Sequence, residues 1–312
     1  MKIGLDIMGG DFAPESTVLG AIQALTELEE DDTLVLIGDE VKIKEILDKE
    51  HQSYDAFEFV PTSQVIEMEE HPARAFSRKS DSSIAVGFDM LKSGKLDAFS
   101  SAGNSGAMLV GSMHIVRSVP GVIRPSIASD LPKEDGGRGI ILDVGINADC
   151  KPDVLYQFAV IGSLYAEHVL DIENPKVALL NIGAEKEKGN LLTQATYRLM
   201  DETKEFNFVG NVEGRDLFDS SADVVVCDGF TGNVVLKEAE AFFKLLSKRG
   251  LIDDYFSRFN YENYGGTPVL GVNSNVLIGH GISSPKAIKN MILASKTVTL
   301  AKLPRKIKEA FN

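Results

Sequence analysis

Short runs of β-branched and aliphatic residues recur along this chain, each closed by a polar or glycine-bearing turn and followed by residues with helical apolar spacing. Lys2 to Ile7, Thr33 to Ile37 and Phe57 to Val60 read as strands. Helices follow over Ser16 to Leu28, with Ser16 as its cap, and over Val41 to Leu47. Glu67 to Phe76 reads as a polar loop entering a helix, and Ser83 to Lys92 as a helix. Another helix runs from the turn after Asp97 through Val116. Gly139 to Val144, Val177 to Leu180, Phe206 to Val209 and Val224 to Val226 are further strands. Helices are expected over Asp153 to Leu170, from about Asn190 and from Val234. Apolar strands that alternate with helices and lack two-residue periodicity predict the α/β class: a mainly parallel or mixed sheet between two helical layers. No linker or low-complexity stretch divides residues 1–312, which predicts one catalytic unit.

Polar residues fall where the predicted strands end. Asp6 and Asp11, Asn104 and Ser105, Asp143 and Asn147, Asn181, Asn211 and Glu213, and Asp228 and Asn233 all do so. In a parallel sheet such ends share one edge, where ligands bind, so the pattern predicts one convergent site. The stretch Asp223 to Lys237 is the sharpest instance: a Val224–Val226 run, a turn permitted by Gly229 and Gly232, and then a helix. Its first helical amides, with Thr231, Gly232 and Asn233, suit an anion. Asp97 to Gly106 echoes it, since both read Asp, five residues, Gly, one residue, Ser or Thr, then Gly. Glu185, Lys186 and Lys188 lie just past another strand, where a lysine can hold an anion as a point charge. His280, between Gly279 and Gly281, is a weaker candidate.

The formal net charge of -14 excludes general nucleic-acid binding, and any acidic partner would need a local basic patch. Lys244, Lys248 and Arg249 offer one, and Lys302, Arg305, Lys306 and Lys308 another. Two cysteines, Cys150 and Cys227, make no disulfide framework and no zinc spacing, which fits a reducing cytoplasm. Neither an export signal nor a membrane-spanning run is legible. Dinucleotide and P-loop glycine motifs are absent, the five histidines form no metal pair, and Ser105 lies outside a nucleophile elbow. No cofactor and no metal are expected.

Six ordered motifs carry a resemblance across nearly the whole chain. Met8-Gly-Gly-Asp-Phe-Ala-Pro14, Ser101-Ala-Gly-Asn-Ser-Gly-Ala107, Asp143-Val-Gly-Ile-Asn147, Asn181-Ile-Gly183 through Gly189, Gly210-Asn-Val-Glu-Gly214 and Asp228-Gly-Phe-Thr-Gly-Asn233 resemble the bacterial phosphate acyltransferases of phospholipid synthesis, PlsX. The resemblance implies conversion of acyl-acyl carrier protein and inorganic phosphate to acyl phosphate. It also implies a homodimer, a downstream glycerol-3-phosphate acyltransferase, and a fold similar to phosphotransacetylase and isocitrate dehydrogenase. The motif glycines Gly9, Gly10, Gly103 and Gly106 join the candidate substrate-binding residues on this basis.

Phosphate is already a nucleophile at neutral pH, so a protein doing this chemistry must place it against the thioester and stabilise the oxyanion. The expected grip comes from Asn104, Ser105 and Thr231 to Asn233, with Lys186 or Lys188 supplying charge and Asp6, Asp143 and Asp228 orienting the donors. Alternatives are a phosphotransacetylase using acyl-coenzyme A, a covalent route through Cys150 or Cys227, and a non-catalytic protein that binds an anion or an acyl carrier. The segment around 238–264 forms a helical arm shorter than the family's, which is linked there to membrane contact. Ile252, Tyr255, Phe256 and Phe259 give it one apolar face beside Asp253 and Asp254. That face is expected in the core or across a homodimer, in a cytoplasmic protein with weak or absent membrane contact.

Overall fold

The computed structural model describes residues 1–311. Its strands are β1 (Lys2–Asp6), β2 (Thr33–Gly38), β3 (Phe57–Pro61), β4 (Ala98–Ser101), β5 (Ser126–Pro132), β6 (Arg138–Leu142), β7 (Lys176–Leu180), β8 (Asn207–Val212), β9 (Val224–Val226), β10 (Gly266–Leu270) and β11 (Asn275–Gly279). The helices are α1 (Glu15–Ala24), α2 (Glu40–Lys49), α3 (Pro72–Arg78), α4 (Ser83–Lys92), α5 (Ser105–Gly111), α6 (Pro152–Val169), α7 (Leu191–Asp201), α8 (Gly229–Lys248), α9 (Asp254–Ser257), α10 (Pro285–Leu300) and α11 (Leu303–Ala310). The class is α/β, with mixed strand pairing and flanking helices, and contacts divide the chain into two compact units.

The first unit takes Met1–Ser118 and Tyr261–Lys302. Its strands run β3-β2-β1-β4-β11-β10, parallel except for β10, which is antiparallel to β11. Ile3, Leu5, Leu34 and Leu36 on one sheet face meet Val18 and Ala21 of α1 and Ile288 and Ile292 of α10 in a dry core. The second unit takes Val119–Asn260 and Leu303–Asn312, with strands β5-β6-β9-β7-β8, parallel except for β5 against β6. Its core gathers Ile141, Ala178, Val225 and Val212 with Leu217, and the half-buried Val235 and Leu236 of α8 pack against it.

Several boundaries move for identifiable reasons. Helix α1 begins at Glu15 behind Pro14, so Ser16 is inside it and does not cap it. Helix α8 begins at Gly229, five residues before its apolar spacing, because the Asp228 carboxylate caps it by accepting the Thr231 amide at 2.8 Å. Strand β8 continues through Gly210 and Asn211 to Val212, since Ala178 and Leu179 pair with those residues across a bulge. The helix before Val116 ends in a π-helical stretch, Ser112–Val116. Two hairpin partners, β5 and β10, lie in stretches where the sequence pattern gave no strand, and Pro268 interrupts the apolar run of β10.

The two echoing stretches are alike at their entrances. Asp97 accepts the Lys2 amide at 2.7 Å and Asp223 the Lys176 amide at 2.8 Å, each stapling its strand to the first residue of a neighbour. They differ at their exits, where Asn104 caps α5 immediately before Ser105 while Asp228 caps α8 three residues before Thr231.

Candidate functional site

In the second unit the centre of the strand exits is Asp143, fully buried after β6. Its Oδ1 accepts the backbone amides of Ile127 at 3.1 Å and of Gly145 and Ile146 at 3.3 Å each. Its Oδ2 accepts the Asn147 amide at 2.6 Å and the Asn147 side-chain Nδ2 at 2.9 Å. Five donors hold the carboxylate in place, so it shapes the 143–147 loop and offers little to a ligand. Asn147 also donates from Nδ2 to the Pro125 carbonyl at 2.8 Å, and its own carbonyl accepts the Gly229 amide at 2.7 Å. This loop therefore docks on the start of α8. The docking leaves no room for a side chain at residue 232, where a Cβ would fall on the Asp143 carbonyl oxygen and lie 3.0 Å from Cys227 Sγ.

Above this base the exposed Asn233 donates from Nδ2 to the Val144 carbonyl at 3.1 Å. A carboxamide has two N–H bonds, so the second remains for a ligand. Asp228 accepts both the Thr231 amide and, at 2.8 Å, the Thr231 hydroxyl, so this carboxylate fixes the turn. On the next strand, Asn181 accepts the Ile182 amide at 2.9 Å and donates to the Lys188 carbonyl at 3.2 Å, which closes the 181–189 loop on itself. Asn211 donates to the Glu185 carbonyl at 2.9 Å, while its buried Oδ1 has no partner. Lys188 and Glu185 are exposed. Lys186 reaches Asp201 at the end of α7 at 2.8 Å and lies 5.5 Å from the Tyr197 ring centroid. The Asp201 carboxylate raises the lysine pKa and keeps it charged. Glu213 begins a short capping box with Asp216 and accepts from Arg215 at 2.6 Å.

In the first unit a second cluster forms around Asp6. The Ser101 hydroxyl donates to Asp6 at 2.6 Å and accepts the Gly103 amide at 2.9 Å, and the Met8 amide donates to Asp6 at 3.0 Å. Burial pushes the Asp6 carboxyl above its ordinary range, against the lowering effect of Ser101, Ser83 and the Met8 and Gly9 amides. A Cβ at residue 9 would strike the Asp6 carboxylate and sit 2.7 Å from the Gly103 nitrogen, so glycine lets the two loops touch. Gly10 takes a positive φ of 109°, and the Asp11 amide donates to the Gly281 carbonyl at 2.7 Å. Asn104 accepts the Ala107 amide at 2.9 Å and donates to the carbonyls of Glu67, Met68 and Glu70 at 3.0 to 3.2 Å. Its amide thus ties α5 to the 67–70 loop. Ser105 is exposed at the first position of α5, beside Gly106. His280 stacks edge-on against Tyr261 at 4.7 Å, and its carbonyl accepts the Ser283 hydroxyl at 2.6 Å.

The sequence-predicted residues thus form two clusters, one in each unit, and most of their carboxylates are held by backbone amides. Ser101 is absent from the sequence-based candidates, although the Ser100–Ser101 pair closing β4 just before Gly103 was a readable signal. Also unpredicted are large apolar side chains exposed at these exits: Ile182, Leu191 and Phe230. Neither cysteine is poised for attack. Burial, with Asp143 and Asp228 nearby, pushes the Cys150 thiol up to about 11, and the buried Cys227 rises well above its ordinary value. Among the described residues no group of three or more metal-ligating side chains is placed to hold a metal ion, and no helix is long and apolar enough to cross a membrane.

The family model described as fatty acid synthesis protein matches residues 1–250. The chain is 43% identical to a phosphate acyltransferase of Dictyoglomus turgidum (strain DSM 6724 / Z-1310), covering 100% of this chain and 98% of that one. It is 42% identical to a phosphate acyltransferase of Halothermothrix orenii (strain H 168 / OCM 544 / DSM 9562), covering 100% and 99%. Among solved structures it resembles the EutD phosphotransacetylase of Staphylococcus aureus, with a TM-score of 0.64 at 19% identity over 96% of this chain and 94% of that one. A branched-chain phosphotransacylase from Enterococcus faecalis V583 gives the same TM-score at 14% identity, covering 96% and 99%, so both likenesses concern the fold.

Proposed function

The chain belongs to the phosphate acyltransferase family, whose members are acyltransferases handling an acyl group and phosphate, and we propose that it transfers the acyl group of an acyl-acyl carrier protein directly to inorganic phosphate. The observation that carries this reading is the α8 entrance, where Asn233 is anchored by the Val144 carbonyl with an N–H to give and the helix dipole favours an anion. A phosphate oxygen attacks the thioester carbonyl, and the new C–O bond generates a tetrahedral oxyanion. Collapse breaks the C–S bond, releasing the carrier thiol with the proton that phosphate gives up, and acyl phosphate remains. Asn233 stabilises the oxyanion or the phosphate by hydrogen bonding, and Asp143 and Asp228 hold the two loops that present it.

Lys186 supplies positive charge once a phosphate competes with Asp201 for it, and Lys188 does so from the exposed side of the same loop. Thr231, Gly229 and Gly232 shape the turn, and Asn181, Asn211 and Glu185 shape its neighbour. In the first unit Asp6, Gly9, Gly10, Asp11, Gly103, Asn104 and Gly106 build the Asp6 cluster, with Ser105 and His280 as its candidate substrate contacts. The protein works as a homodimer, and its acyl phosphate passes to a glycerol-3-phosphate acyltransferase. The test is incubation of purified protein with acyl-acyl carrier protein or acyl-coenzyme A, with and without phosphate, following thiol release and hydroxylamine-reactive acyl phosphate together. Phosphate-dependent product from the carrier protein is expected. Product from acyl-coenzyme A alone would make the protein a phosphotransacetylase, and binding without turnover would remove it from the enzymes.

A further inference from the structure

Beside the residues already assigned, the α8 entrance has a further charged neighbour. Arg124 is exposed, and its Nη1 donates to the Asp149 carbonyl at 3.0 Å. A guanidinium has five N–H bonds, so four remain. Among the described residues no carboxylate pairs with it, whereas Arg138 of the same unit is held by Asp130 and Arg215 by Glu213. In a chain with a formal net charge of -14, an arginine left without an acidic partner is open to an external anion.

The backbone that carries Arg124 is fixed on both sides. Gln157 of α6 accepts the Ile123 amide at 2.8 Å and donates to the Gly121 carbonyl at 2.9 Å. Beyond Arg124, the Pro125 carbonyl accepts from Asn147 Nδ2 at 2.8 Å, and the Ile127 amide donates to Asp143 at 3.1 Å. Asn147 also joins this segment to α8, since its carbonyl accepts the Gly229 amide at 2.7 Å. Arg124 therefore precedes one residue bonded to Asn147, and the first residue of α8 is another. The Cys150 thiol, 3.6 Å from the Asn147 carbonyl, is within electrostatic reach of both Asp228, the α8 cap, and Arg124. Neither nearby buried or capping carboxylate pairs with the arginine, because Asp143 is taken up by its five donors and Asp228 by the Thr231 amide and hydroxyl. Asp149 meets it through a carbonyl.

We propose that Arg124 is an anion-binding residue of the α8 entrance that holds a phosphate group through its free guanidinium N–H bonds. The inference rests on the reading of that entrance as the place where phosphate and thioester meet. Two sources carry the same chemistry: the inorganic phosphate that attacks, and the phosphate of the phosphopantetheine arm that presents the thioester. A planar fork of donors matches two oxygens of either, which a lysine ammonium does not. Arg124 complements Lys186, whose ammonium is engaged with Asp201 until a ligand competes for it.

The variants are Arg124→Ala and Arg124→Lys, both at an exposed position; circular dichroism and urea unfolding verify the fold. The substrates are butanoyl-pantetheine, which carries no phosphate, and butanoyl-phosphopantetheine. Calorimetry follows binding of inorganic phosphate, pantetheine and phosphopantetheine. Arg124→Ala is expected to weaken the handling of at least one phosphate source about tenfold to a hundredfold, with Arg124→Lys in between. A raised KM for inorganic phosphate with butanoyl-pantetheine, matched by lost phosphate affinity, assigns Arg124 to the attacking phosphate. An unchanged phosphate KM, with loss of the preference for the phosphopantetheine thioester over the pantetheine one, assigns it to the carrier arm. Unchanged phosphate KM, thioester preference and affinities in folded variants overturn the proposal. So does a fall in kcat alone, or one that only follows the urea midpoint, which would make Arg124 a support of the 147–150 loop. Phosphate or phosphopantetheine binding that depends on Arg124, without phosphate-dependent turnover of any thioester, retains the anion site and sinks the transferase reading.

Discussion

At the scale of the residue, the thiols and the Asn233 amide separate two chemistries. With the Cys150 thiol at about 11, the thiolate is scarce at neutral pH, and the buried Cys227 is less available still. Cys150→Ala and Cys227→Ala should therefore retain most phosphate-dependent turnover, and a folded but inactive variant of either would establish covalent catalysis. Alkylation of Cys150 by iodoacetamide should accelerate about tenfold per pH unit from pH 7 to 10 without a plateau. The thiol titrates near 9.0 when unperturbed and near 11 in the fold, so unfolding releases a proton between those values and stability falls as pH rises through that window. Asn233→Ala is expected to lower turnover about 10²- to 10³-fold while leaving urea unfolding nearly unchanged, because it removes one exposed donor. Wild-type rates in that variant would take Asn233 out of the site.

At the scale of the element, α8 is held at its first turn and little beyond. Gly229 and Gly232 are its buried residues, pressed on the 143–147 loop, and the rest of its twenty residues are half-buried or exposed. Gly232→Ala pushes a methyl group into the Asp143 carbonyl and should cost about 1–3 kcal/mol, read as a lowered urea midpoint. Asp143→Ala strands five N–H donors in a buried loop and should cost about 3 kcal/mol or more. Both should lower activity through displacement of Asn233. An equal loss of activity without a loss of stability would mean that Asp143 acts on the substrate itself.

At the scale of the whole molecule, the question is what covers α8 beyond its first turns. Part of the apolar face of residues 252–259 is occupied within its own unit, since Phe259 stacks on Phe218 at 5.0 Å and on Tyr255 at 5.6 Å and the Tyr255 hydroxyl donates to the Pro132 carbonyl, while Phe256 stays exposed. Uncovered apolar residues of this stretch include Val234, Phe242, Leu245 and Leu251, of which Phe242 and Leu245, 57% and 51% exposed, lie near Lys244, Lys248 and Arg249. The homodimer proposed above predicts that a second copy covers them. Phe242→Asp with Leu245→Asp should shift wild-type dimer to monomer in sedimentation velocity, and wild type should bind anionic liposomes weakly. Tight liposome binding lost in a variant that stays dimeric would assign this stretch to the membrane instead.

Local chemistry made much of this legible before any coordinates. The runs of β1, β2, β7 and β9 are buried on both faces, so their apolar continuity announced a parallel α/β sheet, and the motifs at their ends announced the family. Where side-chain bonds set the outcome, sequence was silent. Hairpin partners β5 and β10 owe their place to neighbouring strands rather than to their own pattern. Asn104 reads in sequence as a donor to phosphate or oxyanion and Asp143 as an orienting carboxylate, but which groups each holds is decided by three-dimensional folding, which brings the carbonyls of Glu67, Met68 and Glu70 to Asn104 and the Ile127 amide to Asp143. Exposure is decided the same way, because whether Ile182 and Leu191 are core or surface depends on the path of a loop that Asn181 and Gly189 close, and a buried or exposed aliphatic residue has the same letter.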